Sequence, residues 1–228
     1  MKLLQRIPGV LCAFCLMIIL LITSVEAVVY WTPGYFEREY TKYNVTEAVH
    51  MEMDDLLEVT DEMMDYLRGD RDNLHVMTVV DGQSREFFNE REIAHMEDVR
   101  GLFLGAITLR RVCAVTAVAC VVLMAALKAD VKRLLPRTLC AGIGLFFLAA
   151  AGVALLIASD FSRYFVVFHH IFFNNDLWIL NPATDLLINI VPEPFFADTA
   201  LRIGVTFGLS AAVLFALCLF FSLRKKRG

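Results

Sequence analysis

Thr138 to Ser159, TLCAGIGLFFLAAAGVALLIAS, runs for 22 residues without a single Asp, Glu, Lys or Arg. A helix of that length rises roughly 33 Å, enough to cross the hydrocarbon core of a bilayer with every backbone bond satisfied internally. Three further apolar stretches flank it in the chain: Gly9 to Val25, Val112 to Leu127, and Ile203 to Leu223. Val112 to Leu127 is short on its own. Its helical pattern reaches back through Leu102, Phe103, Ala106 and Ile107, which places Arg110 and Arg111 near the outer interface or lining a bundle. With 58% hydrophobic residues in 228, the composition is that of a lipid-embedded chain. The expected fold class is an all-α polytopic membrane protein, with four transmembrane helices and a small, mainly helical extracellular cap.

Orientation follows from Lys and Arg, which gather in short cytoplasmic segments. Lys2 and Arg6 precede the first stretch; Lys128, Lys132, Arg133 and Arg137 separate the second and third; Arg224 to Arg227 follow the fourth. Both termini are therefore expected in the cytoplasm. Residues 31–100 hold eighteen acidic against seven basic residues, in keeping with an outer location. The formal net charge of −4 averages these opposite poles, and nothing reads as a nucleic-acid surface. The expected order is a first spanning helix at 1–30, an extracellular cap at 31–100, a second span at 101–128 and a cytoplasmic loop at 129–137. A third span at 138–159, an aromatic-rich extracellular loop at 160–199, and a fourth span with a basic cytoplasmic tail at 200–228 complete it.

The first stretch also has the form of a secretory signal peptide, with Lys2 and Arg6 ahead of an apolar core and Val25-Glu26-Ala27 at its end. Glu26 is unfavourable at such a cleavage site, and the run leads directly into Tyr30 and Trp31, the amphipathic rings expected at a membrane interface. A retained anchor is the expectation. Cys12, Cys15, Cys113, Cys120, Cys140 and Cys218 all fall within the apolar stretches, where they act as small apolar residues.

In the acidic segment, Asn44 and Glu47 form an N-cap pair, and Val49, Met53, Leu56, Leu57, Thr60, Met64 and Leu67 recur at helical spacing until Gly69. Leu74 to Val80 is prone to extended structure. Asn89 and Glu92 open a second helix that continues into the second span and carries His95, with Asp98 one turn on and able to orient its ring. His50 and His75 have no distinctive partner.

Residues 161–196 contain nine aromatics, a quarter of the segment against 11% of the chain. An interfacial belt accounts for part of this enrichment. It does not account for His169, His170, Asn174, Asn175, Asp176, Asp185 and Glu193 in the same segment, since polar groups at membrane depth are costly and tend to mark function. Were residues 164–176 helical, Phe165, His169, Phe172 and Asp176 would share one face and His170 would point elsewhere.

Phe168-His169-His170-Ile171-Phe172-Phe173, with Asn175-Asp176-Leu177-Trp178, Asn181-Pro182-Ala183-Thr184-Asp185 and Pro192-Glu193-Pro194-Phe195-Phe196, resembles the lipoprotein intramolecular transacylase family. Glu90-Arg91-Glu92-Ile93 and His95-Met96-Glu97-Asp98-Val99 resemble its second signature. Asn181 stands where the motif carries Asp. The resemblance implies a bacterial acyltransferase of the outer leaflet that moves the sn-2 acyl chain of a diacylated lipoprotein onto its N-terminal cysteine amine, giving a lyso-lipoprotein. It also implies catalysis by His95 and His169. Supporting or substrate-binding roles are expected of Asp98, Arg100, Arg111, Phe168, Phe172, Asn174, Asn175, Asp176, Trp178 and Asp185.

An imidazole near pKa 6.5 suits proton removal from an α-ammonium near 8. The attack closes an eight-membered ring, so a confined aromatic pocket would help by proximity. Asn174, Asn175, Arg100 and Arg110 or Arg111 are candidate donors to the oxyanion. Passing from ester to amide is downhill, so no metal, nucleotide or coenzyme is expected. The partners are the lipoprotein substrate and the bilayer. Two other classes fit less well: a metal-dependent membrane hydrolase using His95, Asp98, His169 and Asp176, for which tight ligand spacing is missing, and a non-catalytic sensor whose acidic cap binds a partner.

Overall fold

The computed structural model describes residues 4–224; Lys2 and the basic residues 225–227 lie outside them. Four helices are long and apolar enough to span a membrane: α1 (Ile7–Val29), α5 (Glu90–Ala126), α6 (Val131–Ser159) and α9 (Glu193–Arg224). Between α1 and α5 come α2 (Tyr35–Lys42), α3 (Val45–Val49), α4 (Met53–Arg68) and the strands β1 (Met77–Val80) and β2 (Gln83–Glu86). Between α6 and α9 come α7 (Phe161–Phe172) and α8 (Leu187–Ile190). The chain divides into two compact units, one made of α1 up to Ala27, the part of α5 from Ile107, α6 and the part of α9 from Leu201, the other of residues 28–106 and 160–200.

The first unit buries little of its apolar surface. Val115, Leu148 and Leu155 are more than 70% exposed, as suits helices whose outer faces meet lipid rather than water. Its core is lined by small side chains, among them Cys12, Ala13, Cys15, Cys113, Cys120 and Ala211. A Cβ added at Gly142 would stand 2.4 Å from the Cβ of Ala13, and one at Gly9 would stand 2.1 Å from Thr138 Oγ1. Helices α1 and α6 therefore touch backbone to backbone, as small residues permit in membranes. Helix α1 is an integral wall of this core. Glu26 forms an ion pair with Arg110 on α5.

The second unit holds the acidic segment. Its core contains the fully buried Tyr35, Tyr40, Leu56, Leu74, Phe87 and Phe88, with Tyr40 Oη bonded to Thr60 Oγ1 at 2.7 Å. Two expectations are corrected here. Asn44 does not cap a helix through its side chain: it adopts a left-handed conformation (φ 51°) and leads only into the five residues of α3. His50, also left-handed (φ 54°), breaks the run, so the long helix begins at Met53 and ends, as its sequence suggests, at Gly69 (φ 88°). The extended stretch is one arm of a hairpin, Met77 pairing with Glu86 and Val80 with Gln83 across Asp81-Gly82. Both turn residues have positive φ, which matches the right-handed twist of the strands.

Candidate active site

Helix α5 starts with a reciprocal cap. Asn89 N–H donates to Glu92 Oε2 (2.7 Å) and Glu92 N–H donates to Asn89 Oδ1 (3.0 Å). One turn later His95 is buried at 8% exposure. It lies in the charged stretch Glu90–Arg100, ahead of the apolar part of the helix.

Helix α7 is capped by Asp160, whose carboxylate accepts from Arg163 N–H. It presents His169, also 8% exposed, in its last turn. Phe165 O lies 2.7 Å from His169 Nδ1. A carbonyl can only accept, so Nδ1 carries the proton and Nε2 holds the lone pair.

The two imidazoles lie 6.4 Å apart between ring centroids, tilted by 34°. Phe173 touches both, at 5.3 Å from His95 and 5.6 Å from His169. Trp178 stacks on His169 at 4.7 Å, and its indole N–H donates to Asn175 O (3.0 Å). Phe168 meets His169 edge-on at 5.5 Å and Phe172 at 4.7 Å, both rings partly exposed beside the site. His170 is exposed and meets only the edge of Trp178, at 5.3 Å.

Several expected roles are reassigned. Asp98 does not orient His95: it accepts from Asn175 Nδ2 (2.8 Å), and His95 Nδ1 is buried without a hydrogen-bond partner. Asp176 does not share a face with His169, because α7 ends at Phe172 and Phe173 is extended. Instead Asp176 is exposed and ion-paired with Arg91 at 3.8 Å. Arg100 stacks on Tyr66 (4.7 Å) and donates to Arg71 O (3.1 Å). Arg111 is exposed in the other unit. Asn174 is exposed in the loop after α7.

Asp185 is 5% exposed and accepts from Asn181 N–H (2.7 Å), Asn89 Nδ2 (2.9 Å) and Thr184 Oγ1 (2.9 Å). Asn181 Oδ1 accepts from Ala183 N–H at 3.0 Å, a bond an Asp makes equally well. Phe173 and the Phe165 carbonyl had no signal in the sequence beyond aromatic density and the spacing of one helical turn.

Burial works against a charge on either ring. Burial pushes His95 down to about 4, with His169 opposing its charge as well. Burial also lowers His169, against the bond to Phe165 O. Among the described residues no group of three or more His, Cys, Asp or Glu side chains is arranged to hold a metal ion.

A sign follows for stability. Unfolded histidines take up protons below about pH 6.5, while folded His95 resists until about 4. Its contribution is therefore complete above pH 6.5 and is lost as pH falls toward 4. Thermal unfolding in detergent at pH 7, 5.5 and 4 is expected to show a falling midpoint, with a shallower fall for His95→Gln.

Two buried imidazoles side by side among aromatic rings, on a membrane-spanning α-helical fold, form a group able to pass protons. The sequence model of the lipoprotein intramolecular transacylase family matches residues 10–196, and the chain belongs to that family of acyltransferases. Comparison with curated proteins gives no match. Among solved structures, the fold is similar to that of the membrane-integral lipoprotein intramolecular transacylase from Bacillus cereus, at TM-score 0.80 and 20% identity over 100% of both chains. Two variants of that protein, each with one histidine replaced, match as well. The arginine variant gives TM-score 0.75 at 21% identity over 98% of this chain and 93% of its own. The alanine variant gives 0.77 at 20% over 98% and 96%.

Proposed function

We propose that the protein transfers the sn-2 acyl chain of a diacylated bacterial lipoprotein to the α-amino group of that lipoprotein's N-terminal cysteine, leaving a lyso-lipoprotein. The observation that carries this reading is the pair of buried imidazoles His95 and His169, whose ring centroids lie 6.4 Å apart, close enough for both to act on one reacting group.

His169 is the base, because its Nδ1 proton is held by Phe165 O and its lone pair is at Nε2. The substrate ammonium gives up one proton to solvent. The free amine then attacks the acyl carbon, a C–N bond forms, and Nε2 removes the second proton. As the ester C–O bond breaks, that proton ends on the glyceryl oxygen, relayed through His95. A strongly acidic imidazolium at His95 is suited to this handover. Mutual repulsion lets only one of the two rings carry the proton at a time.

Phe173 and Trp178 line the two imidazoles, and the exposed rings of Phe168 and Phe172 offer an apolar surface beside them on which the substrate can fold into the eight-membered arrangement, where proximity replaces activation. Asn174 and the second N–H of the Asn175 amide are the donors proposed for the oxyanion. The distribution of Lys and Arg supports cytoplasmic termini, with residues 31–100 and 160–199 outside, where lipoproteins display their lipidated cysteine.

Mass spectrometry of a lipoprotein N-terminal peptide, from cells with and without this gene, tests the reading. With the gene, one acyl chain is expected on nitrogen and one on glycerol. An unchanged pair of glyceryl esters would overturn it.

A further inference from the structure

Two carboxylates near the site, Glu92 and Asp185, use both of their oxygens in hydrogen bonds to the protein rather than to either imidazole. Glu92, fully buried, receives Asn89 N–H on Oε2 and Leu187 N–H on Oε1, the latter at 2.6 Å. Asp185 receives Asn89 Nδ2 on Oδ1 and Asn181 N–H on Oδ2. The attachments cross: a carboxylate on α5 holds the backbone at α8, while a carboxylate beside α8 holds the residue that caps α5. Burial pushes Glu92 upward, and the bonds from Asn89 and Leu187 oppose this. A charge kept in such a place costs stability unless it is hydrogen-bonded, as both carboxylates are.

On the basis of the proposed transacylation, we propose that Glu92 and Asp185 are positioning residues that set the distance between His95 and His169. His95 lies one turn beyond Glu92 on the same helix. From Asp185 the connection to His169 is short and stiff. Residues 181–185 form a turn closed by Thr184 N–H and Asp185 N–H on Asn181 O (3.0 and 2.8 Å), and Trp178, three residues before it, lies flat on the His169 ring. A shift at 185–187 is carried through this turn to the stack, and a displacement on the order of 1 Å at a reacting pair can cost about 10²-fold in rate.

The Asn89–Asp185 bond can be reversed without changing the net charge. N89D sets two carboxylates against each other, and D185N sets two amide donors against each other. In N89D/D185N the amide now at position 185 donates to the carboxylate now at position 89, which still caps α5. Each single variant is expected to lose about 10- to 100-fold in kcat with KM little changed, and the double to regain most of it.

A W31F background makes Trp178 the sole indole. Its emission should shift in both singles and return in the double, whether or not acyl transfer is the reaction observed. E92Q, which keeps a single acceptor oxygen, should behave as the singles do. A double variant no better than the worse single in turnover and emission would overturn the proposal, as would singles that raise KM while kcat holds. Failure of the parent protein to transfer an acyl chain, with emission still lost and regained, would instead count against the proposed reaction.

Discussion

Replacing His95 or His169 with Ala is expected to reduce the rate of lyso-lipoprotein formation by about 10² to 10⁴, the range for loss of a general acid or base. His170→Ala is expected to stay close to the parent rate. The contrast is sharp because His169 and His170 are adjacent in sequence, so a general disturbance of α7 would affect both. His169 is buried between Phe173 and Trp178 with a fixed tautomer, whereas His170 is exposed and meets only an indole edge. The double variant H95A/H169A should be little slower than the slower single, since two groups that relay one proton fail as a unit. Purified variants assayed on a diacylated lipopeptide, with thermal unfolding to confirm the fold, provide the measurement. Parent-like turnover in either single variant would remove the proton relay from the mechanism.

The four membrane-spanning helices were legible because their signal is local: length, low charge and continuous apolar character suffice, and no partner need be known. The histidine pair was legible through motif resemblance, and the phase of α7 separates His169 from His170. Side-chain partners were much less legible. Helical spacing sets Asp98 one turn from His95, but Asn175, 77 residues away in sequence, offers the carboxylate an amide donor and takes it. Spacing also set Asp176 on the His169 face, which required α7 to continue past Phe172. The chain instead turns extended at Phe173, and this brings that ring against both imidazoles. Asp81-Gly82, directly after a β-prone run, was a readable hairpin signal, since Asp and Gly both tolerate positive φ. Glu92 was readable as a cap but not as an anchor for Leu187 N–H, because that bond joins residues 95 apart.

A mixture of two diacylated lipopeptides, one carrying deuterated and the other unlabelled acyl chains, is expected to yield lyso products in which every N-acyl group keeps the label of its own molecule. The site offers few groups that could carry an acyl chain between molecules. The groups facing the reacting position are two imidazoles and aromatic rings, and all six cysteines lie on the membrane-spanning helices, none of them at the site. Imidazoles flanked by aromatic rings can move protons and bend a substrate, and with donor and acceptor in one molecule nothing more is needed to join them. Retention should hold at every ratio of the two peptides, and the rate should not depend on an added acyl donor. The products are to be read by mass spectrometry at early conversion, before any secondary reaction accumulates. Mixed labels in the lyso product, or an acyl group trapped on His95 or His169 after rapid quenching, would show that the chain passes through the enzyme or a second lipid, and the one-molecule path would have to be given up. Retained labels together with loss of turnover in H169A would leave acid–base transfer within a single folded substrate as the mechanism.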